Sequence, residues 1–201
     1  MTAVPRSKLT VAEYLAIERR AEFKSEFYDG EMFAMAGASV EHNRVNKNLA
    51  VELGARLKGG PCELFISDLR VRIKRTGLYC YPDLVIVCGE PQYAEEDKDT
   101  LVNPRVVFEV LSPSTERYDR TTKFQHYKQL PSVQEYVLVA QDRAWCERFV
   151  RQPDGAWAQV AFDGLDAALE LTAVPVAVPL ADVYARVEFP PPESPPGGVL
   201  R

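Results

Sequence analysis

The chain has 201 residues, of which 46% are apolar, 26% charged and 10% aromatic, and 24 basic side chains against 29 acidic ones give a formal charge of −5. These values exclude wholesale disorder and fibrous repeats, and the acidic balance excludes a general polyanion binder, so any contact with nucleic acid has to come from a local positive surface. At this length one core buries roughly 70% of the surface an unfolded chain exposes, so a single domain over 1–189 is expected, ahead of a loose Pro/Gly-rich tail over 190–201.

The longest apolar runs, 84–88 and 174–181, fall well short of the about 18 residues a membrane span requires, and the charged N-terminal stretch lacks an apolar signal core. A cytoplasmic protein without membrane contact is the expectation. Cys62, Cys80, Cys88 and Cys146 match neither a CxxC redox pair nor a paired-CxxC zinc site, and are read as reduced, partly buried thiols.

In chain order, Thr10 followed by Glu13 forms a capping box for a helix over 10–20. Asp29-Gly30 turns a hairpin between two short apolar strands. Ser39 caps a long helix over 40–58, with Val45, Leu49, Leu53 and Leu57 on one stripe and Gly59-Gly60 as its stop. The period then changes to two: 64–74 reads as a strand with Asp68, Arg70, Arg72 and Lys74 on one face. Runs 84–88 and 106–111 are apolar enough for strands covered on both sides. Between them, 90–99 carries five acids and one lysine and reads as a solvated loop. A helix over 116–130, a strand over 133–140 and a second hairpin around Asp154-Gly155 follow. Helices and strands alternate here as in an α/β (α+β) protein.

Glu109 is the most informative residue, because it interrupts the run Val106-Val107-Phe108-Glu109-Val110-Leu111, where its same-face neighbours are apolar. A buried carboxylate must be protonated, paired with a cation or bound to a metal. A salt bridge to a lysine or arginine within the fold is the structural alternative. Asp83, behind Pro82, stands at the mouth of the 84–88 strand. If the two strands are neighbours, both carboxylates converge at one sheet edge, a geometry suited to Mg²⁺, which takes one or two carboxylates plus waters and phosphate oxygens. On the following helix, Asp119, Lys123 and Tyr127 fall at i, i+4 and i+8. Arg117, Arg120, Lys123 and Lys128 against Asp119 leave that segment at +3, the local positive surface that the acidic balance requires.

Tyr81-Pro82-Asp83-Leu84-Val85-Ile86-Val87, then Val107-Phe108-Glu109-Val110-Leu111-Ser112-Pro113-Ser114-Thr115, then Asp119, Lys123 and Tyr127, then Glu135-Tyr136-Val137-Leu138-Val139, resemble the Uma family of restriction endonucleases, assigned to the PD-(D/E)XK nuclease superfamily. The likeness also takes in Tyr28-Asp29-Gly30-Glu31, Met35-Ala36-Gly37, His42 and Ser67-Asp68-Leu69. It implies a restriction-endonuclease-like core, a mixed β-sheet flanked by helices with an N-terminal helix and hairpin. It also implies Asp83 and Glu109 as metal-binding acids for Mg²⁺ or Mn²⁺, and DNA as partner with RNA as the alternative. The superfamily's usual lysine position, two residues after the Glu, holds Leu111, and Lys123 is the candidate replacement. Asp68 is read as a further ligand or as the ion-pair partner of Arg70 and Arg72. His42, Glu26, Asp119, Tyr127 and Arg120 are candidates for supporting or substrate contacts. A homodimer would suit a two-stranded substrate. Two other classes compete: a non-catalytic nuclease-fold binding module, motivated by Leu111, and a hydrolase using the two carboxylates as acid and base.

Overall fold

Helix α1 (Val11–Glu18) starts at the capping box: the Thr10 hydroxyl accepts the Glu13 N–H at 3.2 Å while the Glu13 carboxylate accepts the Thr10 N–H at 2.7 Å. The computed structural model describes residues 8–191, so positions 192–201 of the expected tail lie outside the described residues. Strands β1 (Ser25–Tyr28) and β2 (Glu31–Ala34) close around Asp29 and Gly30, whose φ values of 48° and 81° are those a tight hairpin demands. Helix α2 (Val40–Leu57) begins at Ser39, whose Oγ accepts the His42 N–H at 3.0 Å, and buries the stripe Val45, Leu49, Leu53 and Leu57.

Next come β3 (Cys62–Ile66), β4 (Arg70–Ile73), β5 (Leu78–Cys80), β6 (Leu84–Cys88), β7 (Tyr93–Ala94), β8 (Asp97–Leu101) and β9 (Val106–Leu111). Helix α3 (Glu116–Tyr118) runs through a π-helical turn, Asp119–Lys123, into α4 (Phe124–Lys128). Strands β10 (Glu135–Ala140), β11 (Trp145–Arg151) and β12 (Trp157–Asp163), the small hairpin β13 (Ala168–Leu171) and β14 (Val176–Pro179), and α5 (Leu180–Val183) complete the order. One six-stranded sheet runs β2-β1-β5-β4-β8-β7 and the other β12-β11-β10-β9-β6-β3. In the second, β9 pairs parallel with β10 and antiparallel with β6. The helix of residues 116–128 is thus the crossover between parallel strands. Both faces of β9 are covered: Val106, Phe108 and Val110 pack with α2 and α5, while Val107 and Leu111 pack with Phe124 and Tyr127. Glu109 shares the second face. Among the described residues no helix is long and apolar enough to cross a membrane.

Three expectations need correction. The stretch 64–74 is two strands in different sheets, broken at Ser67 (φ 28°), whose N–H donates to the Asp83 carbonyl at 2.8 Å. Alternation alone cannot show that a strand leaves one sheet for another. The acidic stretch 90–99 is not a solvated loop but supplies β7 and the start of β8. Asp97 is buried there, accepting hydrogen bonds from Arg70, from Arg19 at 3.0 Å and from Thr100 at 2.7 Å. Finally, the cysteines are not all thiols: Cys62 and Cys88, opposite each other across β3 and β6, form a disulfide, while Cys80 and Cys146 are free and buried. A cross-strand pair depends on register, which cysteine spacing does not encode.

Burial alone would raise the Asp97 pKa, but the bonds from Thr100, Arg19 and Arg70 reverse this and hold it at about 2. A carboxyl depressed on folding contributes stability above its unfolded pKa of about 3.9, and loses that contribution as pH falls through the folded value. Asp97→Asn is therefore expected to flatten the loss of stability between about pH 4 and 2. Urea unfolding across that window checks it, and an unchanged slope contradicts it.

Candidate active site

The antiparallel pairing of β6 with β9 sets Leu84 opposite Phe108, which brings Asp83, one residue earlier, beside Glu109. Asp83 Oδ2 accepts the Val110 N–H at 2.7 Å. From the crossover helix, Lys123 Nζ reaches Glu109 Oε1 at 2.9 Å, Glu26 Oε1 at 3.2 Å and Asp119 Oδ1 at 3.6 Å. The Tyr127 hydroxyl donates to Glu109 Oε1 at 3.4 Å and lies 3.2 Å from the Cys80 thiol. The Tyr118 hydroxyl donates to Glu26 Oε2 at 2.9 Å. His42, from the first turn of α2, places Nε2 3.3 Å from Asp83 Oδ2.

The π-helical turn shapes this cluster. The Tyr136 hydroxyl of β10 donates to the Asp119 carbonyl at 2.9 Å, the group that an α-helical turn would pair with the Lys123 N–H. Five-residue spacing turns Tyr118 toward the same side as Lys123, so both reach Glu26. Such single π turns recur at functional sites because they re-aim side chains without ending the helix.

Charge is unbalanced at this point. Glu26, Asp83, Glu109 and Asp119 are four carboxyl groups, against Lys123 and, when protonated, His42. Burial pushes Glu109 well above the usual carboxyl range, partly opposed by Lys123 and reinforced by Asp119 and Asp83. Asp119 is raised for the same reason, burial first, with Lys123 opposing. Burial would lower the Lys123 pKa, but Glu109, Glu26 and Asp119 outweigh it and hold the ammonium charged. For His42, burial lowers the pKa, and Asp83 first, with the Val110 backbone and Asp119, more than restores it.

Of the residues singled out in the sequence, Asp83, Glu109, Lys123, Glu26, Asp119 and Tyr127 meet here, and His42 joins through Asp83. Asp68 does not: its side chain is 88% exposed in a turn and pairs with Lys24 at 2.7 Å, while Arg70 and Arg72 pair with Asp97 and Glu96 instead. Arg120 is also elsewhere, pairing with Glu116 at 2.7 Å and Glu147 at 2.6 Å and lying over Trp145 at 5.0 Å. It fastens the crossover helix to β11. Sequence reasoning missed Tyr118, which α-helical spacing puts off the Lys123 face, and Cys80, whose apolar strand gave no sign of a neighbouring tyrosine.

Among the described residues no three His, Cys, Asp or Glu groups already stand as ligands around one point. The arrangement nonetheless fits a hard cation. Its donors are carboxylate oxygens, they outnumber the basic groups beside them, and Lys123 and Tyr127 both approach Oε1 of Glu109, so Oε2 is the oxygen left for a further partner. Asp83 and Glu109 would be the two carboxylates that Mg²⁺ asks of a protein, with water and substrate completing the shell.

The Uma2 family model, described as "Putative restriction endonuclease", matches residues 11–181. This chain belongs to the Uma2 family. Two Synechocystis proteins are similar along most of their length: uncharacterized protein sll1609 is 36% identical over 164 residues, covering 82% of this chain and 93% of the relative, and uncharacterized protein slr1290 is 34% identical over 187 residues, covering 93% and 97%. The crystal structure of a putative nuclease belonging to DUF820 from Anabaena variabilis superposes with a TM-score of 0.71 at 18% identity, covering 88% of this chain and 98% of that one. The expected class holds: mixed sheets flanked by helices, in a restriction-endonuclease-like fold. The Uma2 match spans every element from α1 to the start of α5 and every residue of the carboxylate cluster.

Proposed function

We propose that this Uma2 protein is a metal-dependent endonuclease that hydrolyses DNA phosphodiester bonds, with Asp83 and Glu109 holding Mg²⁺ or Mn²⁺. The observation that carries the reading is the buried excess of carboxyl groups around Lys123, beside Asp83. A cation held there would polarise a phosphoryl oxygen and lower the pKa of a coordinated water. The chain's own groups do the rest. Lys123 fixes Glu109 through Oε1 and keeps a charged ammonium in a buried site, where it would stabilise charge developing on the phosphoryl group. Glu26 and Asp119 hold that ammonium in place, and the Tyr127 hydroxyl donates to Glu109. Leu111 at the usual lysine position is offset in space, because the crossover helix delivers Lys123 to the same carboxylate. Two copies related by a two-fold axis would address the two strands of a duplex.

Leu111 also favours a second reading, a nuclease-fold module that binds DNA or protein without cutting. The discriminating assay is nicking of supercoiled plasmid. Relaxation in Mg²⁺ or Mn²⁺ that stops on adding a chelator is the expected result; cleavage indifferent to the chelator contradicts metal dependence. Intact plasmid alongside salt-sensitive DNA binding would favour the module.

A further inference from the structure

Helix α2 reaches Asp83 directly through His42 and indirectly through Ser67. In its first turn, His42 Nε2 lies 3.3 Å from Asp83 Oδ2. One turn later, Asn46 Nδ2 donates to Ser67 Oγ at 3.0 Å, and the Ser67 N–H donates to the Asp83 carbonyl at 2.8 Å. Residues four apart share a helix face. One side of α2 therefore lies against the Asp83 carboxylate and holds Ser67, the residue that binds the Asp83 carbonyl.

The placement of His42 has no explanation within the helix itself. Ser39 already serves the His42 N–H, so the ring is not needed for capping. A basic side chain in the first turn also opposes the helix dipole. Its Nδ1 is buried without a hydrogen-bond partner among the described residues, and Nε2 faces Asp83.

Val110 N–H donates to the same Oδ2 at 2.7 Å. One hydrogen bond from Val110 and the His42 ring 3.3 Å away, an ion-pair partner when protonated, meet on one oxygen and define which way the carboxylate faces, since the terminal torsion of an aspartate is otherwise broad and two-fold. We propose that His42 is a positioning residue: with Val110 N–H it turns Oδ2 of Asp83 toward α2, so that Oδ1 alone is presented to a divalent cation shared with Glu109. This role rests on the metal-dependent reading above. Hydrogen-bonded partners of ligating carboxylates orient them, and their loss typically weakens metal affinity by about 10–100-fold.

The test is Mn²⁺ affinity, measured calorimetrically on the full chain for the wild type, His42→Ala and His42→Gln, with thermal unfolding followed in parallel. The Gln amide nitrogen can take the position of Nε2 and donate in its stead. Expected are a roughly 10–100-fold weaker Mn²⁺ affinity for His42→Ala and near wild-type affinity for His42→Gln, with both variants folded. Affinity unchanged in His42→Ala, or equally weak in His42→Gln, overturns the role while leaving the metal site standing. A wild-type protein that takes up no Mn²⁺ overturns the metal-dependent reading, and this role with it.

Discussion

Glu109→Gln is expected to give a folded protein whose metal-dependent nicking of plasmid DNA is slower by roughly 10³-fold or more. The amide has the shape of the acid and can still meet Lys123 and Tyr127, yet it lacks the charge a hard cation requires. Its effect on stability should run the other way. Because burial raises the Glu109 pKa well above the usual range, the wild-type protein keeps this carboxyl's full contribution to stability below its unfolded pKa of about 4.3 and loses it as pH rises toward the folded value. The amide does not titrate, so Glu109→Gln should gain on the wild type as pH rises from about 5 to 9. Urea unfolding at both ends of that range, beside the nicking assay, checks both statements. A variant that cuts at the wild-type rate removes Glu109 from the chemistry.

Lys123→Met is expected to cost about 3–5 kcal/mol of stability at neutral pH, the usual result of stripping one partner from a buried ion pair. Methionine fills much of the same volume, so the loss is electrostatic. Lys123 is 5% exposed and is the cation shared by Glu26, Glu109 and Asp119. Without it those carboxyl groups escape repulsion only by taking up protons, so the deficit should shrink between about pH 8 and 5 as protonation becomes easier. Chemical denaturation of the two proteins at those pH values measures it. A difference under about 1 kcal/mol at pH 8 would mean that the ammonium is not what offsets the acids.

Much of this site was legible because burying charge is expensive. Glu109 stood out by sitting where a strand covered on both faces should be apolar, and the structure places it in the middle of β9 with an ammonium 2.9 Å away. The cap residues Thr10 and Ser39 and the turn Asp29-Gly30 were equally plain, since each acts on backbone groups within a few residues. What depended on distant pairing was not legible. Register put Cys62 against Cys88, and the change of sheet at Ser67 took Asp68 away from Arg70 and Arg72. Asp97 read as one more surface acid because its partners Arg19 and Arg70 lie 78 and 27 positions away. The partners of Glu26 are likewise distant in the chain, and Tyr118 comes into reach of it through a π turn that periodicity does not reveal.

The most direct measurement is anomalous diffraction at the manganese edge from crystals of the wild-type chain soaked in Mn²⁺. The account predicts one strong peak within about 2.0–2.6 Å of a carboxylate oxygen from each of Asp83 and Glu109, with Lys123 still hydrogen-bonded to the latter. A peak elsewhere in the molecule, with those two side chains unliganded, would contradict it.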